Sequence, residues 1–177
     1  QRFVQHNNVI ESAKKASVKH IIYTSLLGAT NDNTVKSLAG EHVETEAALK
    51  ASGITYTILR NGWYTENYTA SIPAALANNA FYGSAKNGKI SSVLRAELAE
   101  AAVNVALSEG HENQTYELAG STSWTLADLA AEISKQTGKD IPYVDIPAAD
   151  YAAALVQAGL DEGFAGLIAQ WDVDASN

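Results

Sequence analysis

The chain contains no cysteine. Disulfides, zinc–thiolate sites and cysteine nucleophiles are therefore excluded within its 177 residues. A chain without cysteine fits a cytoplasmic protein. No apolar run approaches about 18 residues, so no membrane-spanning helix is expected. Basic residues are few: 12 Lys and Arg stand against 20 Asp and Glu, a net charge of −8. That balance argues against a nucleic-acid partner held by phosphate neutralisation. It leaves room for one local positive pocket around an anionic ligand. Neither a Gly-x-Ser-x-Gly elbow nor a His-Glu-x-x-His pair occurs, so hydrolase and zinc-protease readings have no motif behind them. His6, His20 and His111 stand apart without metal-ligand spacing, and no metal site is expected.

What is present is a globular composition, 46% hydrophobic and 18% charged, with periodic apolar segments nearly end to end. Val9, Ile10 and Ala13 among polar residues predict an amphipathic helix over residues 2–16. Residues 19–24 form a short β-rich run that reads as a buried strand. Residues 25–39 carry Gly28, Asn31, Asp32 and Asn33, a loop composition. Residues 40–51 read as a helix ended by Ser52 and Gly53, and residues 54–59 as a second buried strand. This order follows the crossover logic of a parallel sheet, with helices on both faces of near-continuous apolar strands. Further helices are expected over 70–77 and 96–107. Another runs from a Thr125 cap to Thr137, stopped by Gly138. Pro147 starts one more at its first position, and residues 161–170 are weakly helical. Strands are expected at 90–93, 115–119 and 141–146.

A glycine-rich strand–turn–helix of the G-x-G-x-x-G kind is missing, although a doubly wound dinucleotide fold opens with that unit. Each βαβ unit takes about 30 residues or more. The first residues, Gln-Arg-Phe-Val-Gln-His, are neither a start Met nor a signal peptide and already read as helix. The expectation is that on the order of 80 to 100 residues precede Gln1 in the intact protein, and that this piece is inactive alone.

Three segments are distinctive: Tyr23-Thr-Ser25, Gly40-Glu-His-Val-Glu-Thr-Glu46 and, most specific, Leu59-Arg-Asn-Gly-Trp-Tyr-Thr-Glu-Asn67. Together they resemble the NmrA-like branch of the short-chain dehydrogenase/reductase superfamily. The third, with Tyr116-Glu-Leu-Ala-Gly120 and Trp124-Thr-Leu126, is similar to the type-2 NAD(P)H:quinone oxidoreductases. The resemblance implies an α/β fold: a Rossmann-type doubly wound parallel sheet, here lacking its N-terminal nucleotide-binding units, with a small C-terminal α/β substrate region. Residues 1–64 would be the C-terminal part of the dinucleotide core. Residues 65–177 would be mainly a substrate or lid region, with some segments returning to the core. The implied cofactor is NADP or NAD, NADPH favoured, with neither flavin nor metal. The implied reaction is direct hydride transfer to a small quinone or conjugated carbonyl. A non-catalytic NAD(P)-binding redox sensor of the NmrA type is the alternative.

Candidate site residues follow from position and type. Tyr23, Thr24 and Ser25 end the first strand at its carboxyl edge, where open parallel sheets bind ligands, and Thr24, Ser25 and Leu26 are cofactor candidates there; Ser25 could instead merely start the loop. His42 and Glu46 share a helix face. Ordinary short-chain dehydrogenases carry Tyr-x-x-x-Lys on the corresponding helix. Here His42 falls about at the Lys and Leu38 about at the Tyr. Leu38 transfers no proton, which disfavours alcohol–ketone chemistry and suits a quinone, whose oxyanions take protons from solvent. His42 is the catalytic and ribose-side candidate; the bland reading is a surface histidine paired with Glu46. Glu11, Glu41, Glu44 and Glu46 read as solvated helix faces. Asn61, Gly62, Trp63 and Tyr64 follow the second strand as cofactor candidates. Trp63, Tyr64 and Asn67 are acceptor candidates, through flat rings and an amide; core packing is the alternative for both rings. Arg95 and Glu97 read as structural, Glu97 capping a helix.

Overall fold

The computed structural model of the chain describes residues 2–30 and 36–175. The elements run α1 (Arg2–Lys15), β1 (His20–Leu26), α2 (Lys36–Ala51), β2 (Thr55–Asn61), α3 (Glu66–Thr69), α4 (Ile72–Asn78), β3 (Phe81–Gly83), α5 (Arg95–Leu107), β4 (Gln114–Leu118), α6 (Leu126–Thr137), β5 (Tyr143–Asp145), α7 (Ala148–Gln157) and α8 (Glu162–Ala175). The chain divides into two compact units, Gln1–Tyr64 with Ser92–Gly120, and Thr65–Ser91 with Ser121–Asn177.

The first unit is built on a parallel sheet in the order β1-β2-β4. Its middle strand is the most apolar, and Thr57, Ile58 and Leu59 there are fully buried. Ile58 meets Ile10 of α1 and Leu49 of α2, with Ile21, Tyr23, Ala48 and Tyr56 packed around them. Each such aliphatic side chain contributes about 1.5–3 kcal/mol by leaving water. Thr57 survives in this core because its hydroxyl donates to the His111 carbonyl at 2.6 Å. That leaves its oxygen to accept from His20 Nε2 at 2.9 Å. His20 is thus a satisfied partner of the core.

The second unit holds the parallel pair β3–β5 with α4, α6, α7 and α8. The Thr125 hydroxyl accepts from Asp128 N at 3.1 Å while the Thr125 amide donates to the Asp128 carboxylate at 2.8 Å. This reciprocal cap starts α6. Gly138 ends it with φ +70°, a left-handed position where a Cβ is strained. Both ends of this helix were readable from the sequence.

The α/β fold with parallel sheets is as expected. Several boundaries move. β1 and β2 each run two residues further than the apolar pattern, to Leu26 and Asn61, and α2 begins at Lys36. Asn31, Asp32 and Asn33 lie outside the described residues, as does the side chain of Leu38. The strand expected at 90–93 is not one: Ile90 bridges Trp124 antiparallel and Val93 bridges Tyr64 parallel. Two partners of opposite sense within four residues leave no room for a ladder. Pro147 precedes the first turn of α7 instead of occupying it. The short β3 and α3 were not anticipated, since three or four residues carry no period.

Candidate cofactor and acceptor site

The three strands of the first unit end level. Leu26 of β1 stands opposite Asn61 of β2, and Asn61 opposite Leu118 of β4. This is the carboxyl edge of a parallel sheet, where such folds bind ligands because loops diverge there and leave a crevice. The Asn61 carbonyl accepts from Leu27 N at 2.9 Å. Its side-chain Oδ1 is buried and has no hydrogen-bond partner among the described residues. A buried unsatisfied acceptor costs about 1–3 kcal/mol unless something supplies a donor.

Gly62 follows. Its amide donates to the Leu118 carbonyl at 2.7 Å, and a Cβ there would stand 2.7 Å from that same oxygen. The expected close approach is therefore real, but the backbone that approaches belongs to β4.

Ser25 turns inward. Period-2 alternation puts Tyr23 and Ser25 on one face of β1, and the i,i+4 pair His42 and Glu46 of α2 meets them. Ser25 Oγ donates to Glu46 Oε1 at 2.6 Å. Arg60 Nε and Nη2 grip the same carboxylate at 2.9 and 2.7 Å. Arg60 Nη1 reaches Glu117 at 2.7 Å, and Nη2 also donates to the Ala29 carbonyl at 3.1 Å. Glu117 in turn accepts from Gly28 N at 2.9 Å. Four elements and the first residues after β1 are thereby tied together. Burial alone would raise the Glu46 carboxyl, but the Arg60 guanidinium, the Ser25 hydroxyl and Lys50 outweigh it and hold it below the usual range. The Glu46 hydrogen bonds, partly offset by burial, push Arg60 upward.

Glu46 is only 3% exposed. The reading of it as a solvated helix face is corrected, and so is its pairing with His42. A single helix shows its charges but not what lies under them.

His42 instead meets Tyr23, whose hydroxyl lies 2.7 Å from His42 Nδ1. His6 packs edge-on against Tyr23 with ring centres 5.8 Å apart, and its Nδ1 lies 3.0 Å from Thr45 Oγ1. His6 is not isolated, therefore, though it forms no metal cluster. Burial, then Arg2 and His6, push the His42 imidazole below its usual range against weaker pulls from Glu46 and Glu41. That shift favours the neutral form.

Thr24 is exposed at the end of β1, and Leu26 is half-buried beside it. Trp63 and Tyr64 are both half-buried. The Trp63 carbonyl accepts from Val93 N at 2.9 Å. The Arg95 guanidinium sits 4.8 Å from the Tyr64 ring centre, so one ring face carries a cation–π contact. Glu97 Oε2 accepts from Leu94 N at 3.0 Å, the helix cap expected of it. Asn67 is exposed on α3, in the second unit. Sequence reasoning missed Tyr23, Arg60 and Glu117 as partners. The signal was present in the alternation of β1 against the i,i+4 spacing of α2.

A family described as NAD(P)H-binding matches residues 2–109. The chain belongs to that NAD(P)H-binding family. Its NmrA-like character is likewise as read from the sequence segments. The chain is 54% identical to quinone oxidoreductase 2 of Escherichia coli over 99% of its own length and 61% of that protein's. A crystal structure of that NADPH-dependent quinone oxidoreductase in complex with NADPH superposes with a TM-score of 0.91 at 54% identity, covering 97% of this chain and 60% of the other. The triphenylmethane reductase of Citrobacter sp., complexed with NADP(H), superposes with a TM-score of 0.92 at 36% identity, over 98% of this chain and 61% of that one. An NmrA-like family domain-containing oxidoreductase of Aspergillus flavus is 35% identical over 77% of this chain and 45% of its own length. The chain thus spans about three-fifths of the bacterial relatives' length.

The residues in hand fit one end of a dinucleotide. The unpartnered Asn61 Oδ1 at the strand edge is an acceptor awaiting a donor, as a nicotinamide carboxamide provides. No glycine-rich loop for the pyrophosphate occurs in the sequence. Among the described residues no group of His, Asp and Glu could hold a metal ion, and no helix is long and apolar enough to cross a membrane.

Proposed function

We propose that this chain supplies the nicotinamide side and the acceptor side of an NAD(P)H-dependent oxidoreductase that reduces quinones or other conjugated carbonyls, with NADPH the favoured donor. In this reading residues 1–64 belong to the dinucleotide core, and residues 65–177 serve mainly as the acceptor or lid region, with some segments, β4 among them, returning to the core. The observation that carries it is the buried, unpartnered Asn61 Oδ1 at the level carboxyl ends of β1, β2 and β4. The 54% identity to a quinone oxidoreductase points the same way.

When bound, NAD(P)H supplies the hydride, and no flavin is required. Asn61 would accept a hydrogen bond from the ligand's amide, and the exposed Thr24 hydroxyl, Leu26 and the Gly62 backbone would line the edge beside it. Trp63 and the face of Tyr64 away from Arg95 would offer flat apolar surface to a ring. Asn67 would supply an amide to the acceptor. His42 would address a ribose or carbonyl oxygen. Ser25 donates its hydroxyl proton to Glu46, which holds the strand end; toward a ligand its oxygen would act as an acceptor. Leu38 offers no proton, and a quinone needs none from a tuned acid, because its reduced oxyanions are protonated by water.

The test uses the chain alone and the chain completed with the part of the E. coli relative that it does not cover. Without a glycine-rich loop the chain alone should bind NADPH weakly or not at all. The completed protein should consume NADPH when a small quinone is added and no flavin is present. Tight binding without consumption would favour a redox sensor instead.

A further inference from the structure

We infer that Tyr23 is a positioning residue: its hydroxyl donates to Nδ1 of His42, fixes the imidazole as the Nε2–H tautomer, and turns His42 into a hydrogen-bond donor toward an acceptor oxygen of the ligand. The inference rests on the role given to His42 above and specifies it.

A neutral imidazole has one nitrogen that donates and one that accepts. The phenol and Nδ1 stand 2.7 Å apart, so one of them gives the proton. Burial pushes the Tyr23 hydroxyl above its usual range, so it keeps that proton at neutral pH. If Nδ1 were the donor, the phenol proton would need another acceptor in a half-buried place. Thr45 also lies near the phenol and is 2% exposed. The Thr45 hydroxyl donates to the Glu41 carbonyl at 2.7 Å. Its oxygen also lies 3.0 Å from His6 Nδ1, so a phenol proton sent there would meet an oxygen already engaged twice. The imidazole nitrogen is also the stronger acceptor of the two. The proton goes to Nδ1, and Nε2 carries its own.

Geometry holds the arrangement in place. His6 braces the Tyr23 ring edge-on at 5.8 Å, and Tyr23 packs on the Ile10–Leu49–Ile58 core. The phenol has little freedom to leave Nδ1. Among the described residues no protein group hydrogen-bonds His42 Nε2, and that atom is not enclosed. An imidazole anchored at one nitrogen and open at the other has that second nitrogen free to meet a ligand. Its Nε2–H suits a carbonyl or hydroxyl oxygen and cannot act as a base. The charged and titratable groups around it are Arg2 and His6 from α1, and Glu41 and Glu46 from α2.

The test is a two-bond proton–nitrogen correlation spectrum of the chain labelled with 15N-histidine, His42 being assigned by loss of its signals in His42→Gln. The expected result is the Nε2–H pattern for His42 at neutral pH, becoming a mixture of tautomers in Tyr23→Phe. In the completed protein, Tyr23→Phe should lower kcat/KM for quinone about five- to tenfold, as for one lost hydrogen bond, and should have no further effect in a His42→Ala background. An Nδ1–H pattern in the unmodified chain would overturn the inference without any variant. So would an unchanged tautomer in Tyr23→Phe, or an undiminished kinetic cost in the double variant. If the completed protein reduces no quinone at all, the reading of the function fails, while the spectra still decide the role of Tyr23.

Discussion

Replacing Glu46 by Ala tests whether the sheet edge is held by the Ser25–Glu46–Arg60 network. The variant removes a carboxylate that is 3% exposed and receives hydrogen bonds from Ser25, Arg60 and Lys50. It leaves an Arg60 side chain only 16% exposed with one remaining carboxylate, Glu117, which is 46% exposed. Breaking a buried ion pair from one side costs about 3–5 kcal/mol. Because Arg60 keeps Glu117 and the Ala29 carbonyl, the expected loss is near the lower end, about 3 kcal/mol. With a urea dependence of about 2 kcal/mol per molar for a chain of this size, the midpoint followed by circular dichroism should fall by roughly 1.5 M. The pH dependence gives a second reading. The folded-state Glu46 carboxyl lies below its unfolded value of 4.5. Its contribution is fully present above that value and is lost as pH falls through the folded pKa. The gap between the parent chain and Glu46→Ala should therefore narrow under acid. A loss below about 1 kcal/mol, the range of exposed pairs, or a gap that does not change with pH, would refute the bracing role.

Three further outcomes separate ligand-facing from structural residues. Asn61→Leu removes a buried acceptor that has no partner; calorimetry on the completed protein should show weaker NADPH binding while the denaturation midpoint holds or rises. Gly62→Ala sets a methyl group 2.7 Å from the Leu118 carbonyl oxygen, and should cost about 1–3 kcal/mol in denaturant titration. Asp172 of α8 is 6% exposed and accepts from Ser84 N at 2.9 Å; burial pushes its carboxyl from 3.8 up to about 6. That raised group favours folding fully below 3.8 and loses its contribution as pH rises through about 6. Asp172→Asn should therefore be more stable than the parent chain at pH 8, by up to about 3 kcal/mol, and the difference should shrink at low pH in thermal melts.

The sequence carried the layout of this protein better than its contacts. The buried run around Ile58, the Thr125 cap and the Gly138 stop are local signals, and each element lies where its signal puts it. Ser25 and Leu26 read as loop because hydroxyl and glycine chemistry begins there, yet parallel pairing with Arg60 and Asn61 draws both into β1. Glu46 read as solvent-facing because nothing in a helix sequence names the arginine that will lie beneath it. His42 was singled out for its place on the helix; its true partner, Tyr23, lies 19 residues away on the facing strand. The spacing that joins them, two residues on a strand against four on a helix, is visible only when both elements are laid side by side. Asn61 was legible as a strand-end polar residue. That its oxygen lacks a partner is a fact of packing alone.

Direct hydride transfer from NADPH to a quinone-like acceptor is proposed at the edge formed by β1 and β2. The most direct measurement is steady-state quinone reduction by the completed protein, flavin absent, with NADPH deuterated at the transferred position of C4 compared with unlabelled NADPH. Direct transfer should give turnover with a primary isotope effect on kcat/KM, and a several-fold loss of kcat/KM in Asn61→Leu. Turnover that requires added flavin, or NADPH binding with no quinone reduction, would contradict it.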